Sequence, residues 1–150
     1  MRTYLVVLDE TVESRAALRF AARRAARTGG GVEIVALVPQ QEFVQWGGVQ
    51  AAMEEEARLR AEAMVLQASG AIVEEAGLRP AITVRQGDPV KVVSDILKER
   101  QTIAALVLGA PESGPGPLVA HFAGAVVGTL PCPLMIVPGG LSEEALDRLS

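Results

Sequence analysis

The sequence predicts a single α/β domain over residues 1–150: a doubly wound (Rossmann-like), open parallel five-stranded sheet with helices on both faces. Two observations predict it. Short apolar runs rich in β-branched residues alternate with helical patterns along the chain. No internal repeat or linker interrupts that alternation, which favours one domain. Strands separated by helices pair in parallel through right-handed crossovers.

The five predicted strands are short, mostly apolar and bounded by turn residues. A continuous apolar run is typical of a strand that is covered on both faces. The predicted strands are Tyr4 to Leu8, Val32 to Val38, Ala81 to Arg85, Ile103 to Leu108 and Leu134 to Val137.

The predicted helices carry recognisable ends. Glycines 29–31 and Gly77 end the first two, since glycine adopts the left-handed closing conformation without penalty. Asp88 and Pro89 have the residue types of an N-cap and a first helical position. The predicted helices run from Glu13-Ser14 to Thr28, from about 49 to 75, from Pro89 to about Arg100, from Leu118 to Leu130, and from Ser142 to Leu149. The fourth contains no charged residue, so we expect a buried helix followed by a buried strand.

The composition excludes several functions. The chain has 18 acidic and 14 basic residues, a net charge of -4, and no basic block, which argues against binding to nucleic acid or to an anionic membrane. One cysteine, Cys132, forms neither an internal disulfide nor a cysteine-based metal cluster, and no metal site is expected. The N-terminal apolar run is too short for a secretory signal, so a cytoplasmic location is expected.

The candidate ligand site follows from the fold. With strand order 3-2-1-4-5 the order reverses between strands one and four, and ligands bind beyond the carboxyl ends of the strands at such a point. The candidates are therefore Leu8, Asp9 and Glu10 at the end of strand one, and the loop from Gly109-Ala110 to Gly116 after strand four.

Signatures of other nucleotide proteins are missing there. Residues 9–14 contain no glycine, as a dinucleotide site would require, and the chain has no P-loop. The acidic pair Asp9-Glu10 would repel the phosphate of a flavodoxin. A response regulator needs a lysine after strand five, where Pro138-Gly139 stands.

Four segments, taken together and in order, resemble the universal stress protein family over the whole chain. They are residues 4–38, Gln86 to Pro89, Leu106 to Ala110 and Pro131 to Pro138. The resemblance implies a stress-response protein that binds an adenine nucleotide, ATP, ADP or AMP, as a switch or sensor, with Mg²⁺ only if ATP is bound. It implies no enzymatic activity beyond very slow nucleotide hydrolysis.

The resemblance also implies which residues hold the nucleotide. The aspartate after strand one, Asp9, lies near the adenosine, and the end of strand two, Val38, contacts the adenine. The pattern Gly-x2-Gly-x9-Gly-Ser/Thr, starting at the end of strand four, holds ribose and phosphates. The implied nucleotide-binding residues are Leu8, Asp9, Val38, Gly109, Ala110, Gly114, Gly116, Gly124 and Ala125.

The sequence departs from that last pattern. Glu112 stands where the pattern has its second glycine. Gly114 and Gly124 restore the nine-residue spacing, but only with two extra residues in the loop. Ala125 then stands where the pattern has its serine or threonine. Counting back from the Pro-Cys-Pro segment instead places Ala120-His121 at the final pair.

These departures disfavour a triphosphate. Pro111, Pro115 and Pro117 each remove a backbone N–H donor, and Glu112 is expected to bring a negative charge among the phosphates. Against this, a helix that starts at Pro117 would aim its dipole at the loop. Two functions remain open: a switch or sensor that binds an adenine nucleotide, ATP or a smaller one with less charge to place, and a nucleotide-independent dimeric interaction or signalling protein with a degenerate site.

Several other residues have a structural and a functional interpretation. Asp9 contacts a ribose or caps the first helix. His121 and Cys132 are interpreted as structural, and the arginines at 15, 19, 23 and 27 as a solvated helix face. Phe43 and Trp46 would flank a ligand or a partner.

Strand five predicts a homodimer. It is an apolar edge, and such edges are normally paired or covered. In the family that the chain resembles, this strand pairs antiparallel with its own copy. The expected contact residues are Leu134, Met135, Ile136 and Val137.

Overall fold

The computed structural model describes residues 2–38 and 47–150, and it confirms the predicted fold class. Strands and helices alternate along the chain. They are β1 Thr3–Leu8, α1 Val12–Thr28, β2 Gly31–Val38, α2 Gly47–Ala76, β3 Ala81–Gln86, α3 Pro89–Glu99, β4 Ile103–Ala110, α4 Pro117–Phe122, β5 Leu134–Pro138 and α5 Glu143–Leu149.

The sheet has the order β3-β2-β1-β4-β5, and all its pairings are parallel. Strand β1 lies at the centre, where Val6 pairs with Ile34 of β2 and with Val107 of β4. A central strand is buried on both faces, which explains why β1 has no alternation of polar and apolar residues.

Successive residues of each strand point to opposite faces and build two cores. Val6, Leu8 and Ile34 pack on the side of α1, α2 and α5. Leu5 and Val35 pack on the opposite side, which α3 and α4 cover. Small side chains in α1 let this helix lie close to the sheet, and its alanines 17, 21 and 25 are almost wholly buried.

Helix α4 is shorter than predicted. It ends at Phe122, and a turn and a 3-10 segment, Val127–Thr129, replace its expected second half. At Gly124 a Cβ atom would lie 2.7 Å from the carbonyl oxygen of Ala120, because the chain tightens there into the bond from Gly124 N–H to His121 O. Two glycines and a Val-Val pair are poor helix formers, so the prediction of a buried helix to Leu130 is wrong.

Strand β5 is also less buried than predicted. Val137 is buried, whereas Ile136 is 43% exposed. The reason is topological, since β5 has a neighbour, β4, on one side and forms an edge of the sheet. No helix in the described part of the chain is long and apolar enough to cross a membrane.

Candidate functional site

A cavity of about 160 Å³ opens beyond the carboxyl ends of β1 and β4, where the strand order reverses. Two connections form its walls, β1–α1 on one side and β4–α4 on the other. Its lining residues are Val7, Asp9, Thr11, Glu13, Ser14, Leu108, Gly109, Pro111, Pro115, Gly116, Pro117, Leu118 and Val119.

Three of the nine sequence-predicted site residues, Asp9, Gly109 and Gly116, line this cavity. The others lie around it or farther away. Leu8 and Val38 are buried at the ends of their strands, and Val38 packs against α2. Ala110 ends β4 and Gly114 lies in the following loop, whereas Gly124 and Ala125 lie in the exposed turn beyond α4. Phe43 and Trp46 lie outside the described residues.

The β1–α1 connection holds Asp9 in a fixed position. Asp9 Oδ1 accepts hydrogen bonds from the Thr11 backbone N–H, at 2.9 Å, and from the Thr11 hydroxyl. Thr11 is the N-cap of α1, since its Oγ1 accepts from the Ser14 N–H at 3.2 Å. Ser14 is buried, and its Oγ accepts in turn from the Asp9 N–H. Asp9 therefore orders the turn before α1 and lines the cavity, whereas the N-cap itself is Thr11.

Thr11 and Ser14 were missed as site residues, although the sequence carried a signal for one of them. A threonine directly before a helical pattern is a standard N-cap. The participation of Ser14 depends on the chain folding back five residues onto Asp9, which no local pattern indicates.

Gly109 has a structural reason to be glycine. A Cβ atom there would overlap the backbone carbonyl group of Glu13, in the first turn of α1. Gly139 is constrained by the same turn, because its Cβ would lie 2.8 Å from Glu13 Cβ and 2.9 Å from Ala110 O. These two glycines let α1 start directly against the ends of β4 and β5.

The loop after β4 is shaped by left-handed glycines and by prolines. Gly114 and Gly116 have φ angles of 80° and 76°, which residues with side chains rarely adopt. The N-cap of α4 is Gly116, which has no capping side chain, and Pro117 follows it. Because α4 has six residues, it brings few aligned peptide dipoles to the loop, fewer than the sequence predicted.

Glu112 does not line the cavity. Its carboxylate lies over the turn after β5, where a Cβ atom on Gly140 would be 2.7 Å from Oε1. The expectation that Glu112 brings its charge into the site is therefore wrong. The acidic residues that line the cavity are instead Asp9 and Glu13, and none of its described lining residues is Lys, Arg or His.

The remaining candidates have structural surroundings. The His121 ring packs edge-on against Phe122, with the ring centroids 4.9 Å apart. Cys132 is partly buried beside β4, and this burial raises the pKa of its thiol, as expected for an unreactive cysteine. Within residues 2–38 and 47–150, no cluster of three His, Cys, Asp or Glu side chains is arranged to hold a metal ion.

Two arginines of the α1 stripe, Arg19 and Arg23, join helices rather than standing free in solvent. Arg19 forms a two-pronged pair with Asp147 of α5, at 3.0 Å for both contacts, and a third contact of 3.0 Å with Glu75 of α2. Arg23 lies 2.5 Å from Asp147. The hydrogen bond from Arg19 holds the pKa of Asp147 below its usual value. These pairs border a larger cavity of about 370 Å³, which none of the predicted site residues lines.

Comparison with known proteins identifies the family. The model of the universal stress protein family matches residues 1–138. The universal stress protein UspA from Lactobacillus plantarum superposes with a TM-score of 0.75 at 18% identity, over 91% of this chain and 97% of that one. The universal stress protein from Archaeoglobus fulgidus, solved in complex with dAMP, superposes with a TM-score of 0.60 at 19% identity, over 91% of this chain and 97% of that one. A family member from Arabidopsis thaliana with AMP bound superposes with a TM-score of 0.57 at 16% identity, over 92% of each chain. No curated protein matches the sequence. The chain belongs to the universal stress protein family.

Proposed function

We propose that this chain is a cytoplasmic stress-response protein that binds an adenine nucleotide in the cavity beyond β1 and β4 and works as a switch rather than an enzyme. The observation that carries the proposal is the hydrogen bonding of the Asp9 carboxylate. One carboxylate oxygen, Oδ1, is held by Thr11, while Oδ2 accepts no hydrogen bond from the described residues. An oriented carboxylate oxygen at the ligand crevice is suited to accept a hydrogen bond from a ribose hydroxyl. The Arabidopsis thaliana and Archaeoglobus fulgidus relatives, with AMP and dAMP, support an adenosine ligand.

The charge of the cavity favours a nucleoside or monophosphate over a triphosphate. Asp9 and Glu13 are both acidic, and the described lining residues include no cationic side chain. Two like charges 4 Å apart repel by about 4 kcal/mol at an effective dielectric constant of 20. Pro111, Pro115 and Pro117 further remove backbone donors that would compensate phosphate oxygens. Each added phosphate therefore increases the electrostatic cost of binding, unless Mg²⁺ accompanies it.

Calorimetry on nucleotide-stripped protein tests the proposal with adenosine, AMP, ADP and ATP, each with and without Mg²⁺. We expect adenosine or AMP to bind most tightly and metal-free ATP most weakly. Asp9→Asn should weaken all four ligands. No binding of any ligand at millimolar concentration would refute nucleotide binding, whereas ATP binding as tightly as AMP would refute the charge argument alone.

Glu13 and Glu112 provide a matched pair of variants. Glu13→Gln neutralises an acidic residue that lines the cavity and should improve ATP binding more than AMP binding. Glu112→Gln removes a charge that lies against Gly140, outside the lining, and should leave the order of affinities unchanged. Equal effects of the two variants would show that the cavity carboxylate does not select the ligand.

We further propose that two copies pair antiparallel through β5, as its sequence predicts. Leu134 and Met135 are half-buried and Ile136 is exposed, so the edge presents apolar side chains beside backbone groups that pair with no strand on that side among the described residues. Sedimentation velocity should show at least a dimer at micromolar concentration. Ile136→Lys should reduce that mass, and a wild-type monomer would contradict the pairing.

A further inference from the structure

Helix α2 carries an apolar stripe on the face opposite the core. Its buried face consists of Ala57, Ala61, Val65 and Ile72. On the other side, Leu59 is 55% exposed, Leu66 is 73% exposed and Val73 is 45% exposed. Contiguous apolar side chains on a surface mark an interaction site more often than isolated ones do.

The stripe has the spacing of a coiled-coil seam. Beginning at Leu59, exposed apolar or small residues recur after alternating steps of four and three residues. The seam residues are Leu59, Ala63, Leu66, Gly70 and Val73. Large side chains occupy one of the two alternating heptad positions, and Ala and Gly occupy the other. A seam with this period is the surface that a second helix packs against.

We propose that α2 of a second copy of this chain packs antiparallel on this seam. In antiparallel pairs the two alternating positions face each other across the interface. Leu59 then lies opposite the copy's Gly70, and Leu66 lies opposite the copy's Ala63, so each large side chain fills the space that a small one leaves. A parallel pair instead sets leucine against leucine and glycine against glycine, which leaves voids.

Charge on the flank of the seam supports a second copy as the occupant. Arg60 and Glu74 each follow a large seam residue, so both lie on the same flank. An antiparallel pair brings equal flanks together, so Arg60 lies on the same side of the interface as the copy's Glu74, about 8 Å from it along the axis, a separation that two long side chains can bridge. Both residues are exposed, and the contacts of Arg60 with Glu10 and Glu56 are long, at 3.7 and 3.8 Å. The four central layers are therefore complementary in shape and the Arg60–Glu74 flank is complementary in charge, while Val73 lies opposite the copy's Glu56.

Sedimentation velocity on the full chain tests the interface, with Leu66→Lys as the disrupting variant. Leu66 is largely exposed, so the variant should keep the wild-type circular dichroism and melting temperature. The wild type should sediment with at least twice the mass of Leu66→Lys, whatever assembly β5 supports. Ala51→Lys adds the same charge to an exposed position of α2 outside the seam and should keep the wild-type mass. Equal masses for wild type and Leu66→Lys would overturn the proposal.

Cysteine cross-linking tests the orientation. Leu59→Cys and Gly70→Cys are made separately in a Cys132→Ala background, and the disulfides formed on mild oxidation are mapped by mass spectrometry. We expect a 59–70 cross-link between copies when the two variants are mixed. Leu59→Cys alone should not cross-link, because the two sites lie about 16 Å apart along the axis in the antiparallel pair. A 70–70 cross-link as the main product would show a parallel pair and overturn the assignment.

Discussion

Replacing Gly109 by alanine tests whether this residue is needed for packing rather than for ligand binding. The added Cβ would overlap the backbone carbonyl of Glu13 and lie 3.0 Å from Glu13 Cβ. Because the clash is with backbone, no rotamer change relieves it, and the first turn of α1 has to move away from β4. Overpacking typically costs about 1–3 kcal/mol, and a backbone clash belongs at the upper end.

The expected loss of about 3 kcal/mol corresponds to a fall of roughly 6–12 °C in melting temperature for a chain of this size. Far-UV circular dichroism measures it on unliganded protein. Two controls separate the causes. Gly128→Ala meets nothing within 4 Å and should stay within about 0.5 kcal/mol of wild type. Gly114→Ala is also open but has a positive φ, and should cost about 1 kcal/mol. A fall below roughly 2 °C for Gly109→Ala would refute the packing argument.

Three further predictions concern stability. Thr11→Ala removes the N-cap of α1 and should cost about 1 kcal/mol in urea unfolding, with Thr11→Ser close to wild type. Arg100→Ala leaves the carboxylate of Glu33, which is 4% exposed, without its cation and should lower the free energy of unfolding by about 3 kcal/mol. Adding Glu33→Gln to Arg100→Ala should recover part of this loss. Strictly additive effects of the two substitutions would contradict the ion pair. Asp147, whose pKa is lowered by Arg19, should stabilise the fold fully above the ordinary aspartate value of 3.8 and progressively less as the pH falls through its lower folded pKa. The stability gap between wild type and Asp147→Asn should therefore close at low pH, and a gap independent of pH would count against it.

The elements with local signals could be predicted from the sequence. Asp88 and Ser142 cap α3 and α5 as their residue types indicate, with hydrogen bonds of 3.0 Å to Lys91 N–H and 3.1 Å to Ala145 N–H. The strand order also follows the prediction, because alternating strands and helices leave few possible topologies.

The errors lie where tertiary context decides. Residues 118–137 are apolar almost throughout, so no pattern separates the part that packs from the part that faces solvent. Ile136 is exposed because β5 is an edge strand, as the predicted strand order implies, whereas the apolar composition of this segment indicates a buried strand. The carboxylate of Glu112 rests over Gly140, a contact between residues far apart in sequence. Local reasoning located the crevice but could not assign its charge.

The prolines of the loop after β4 also affect the entropy of ligand binding. Pro111, Pro115 and Pro117 each have φ fixed by their ring, which offsets the backbone freedom of Gly114 and Gly116 and reduces the number of conformations that the loop loses when a ligand arrives. Such a preorganised wall binds a ligand of matching shape with little ordering cost. It has equally little freedom to reshape itself around a larger one. Rigidity of the loop thus acts as a second filter on ligand size, independent of charge and insensitive to salt.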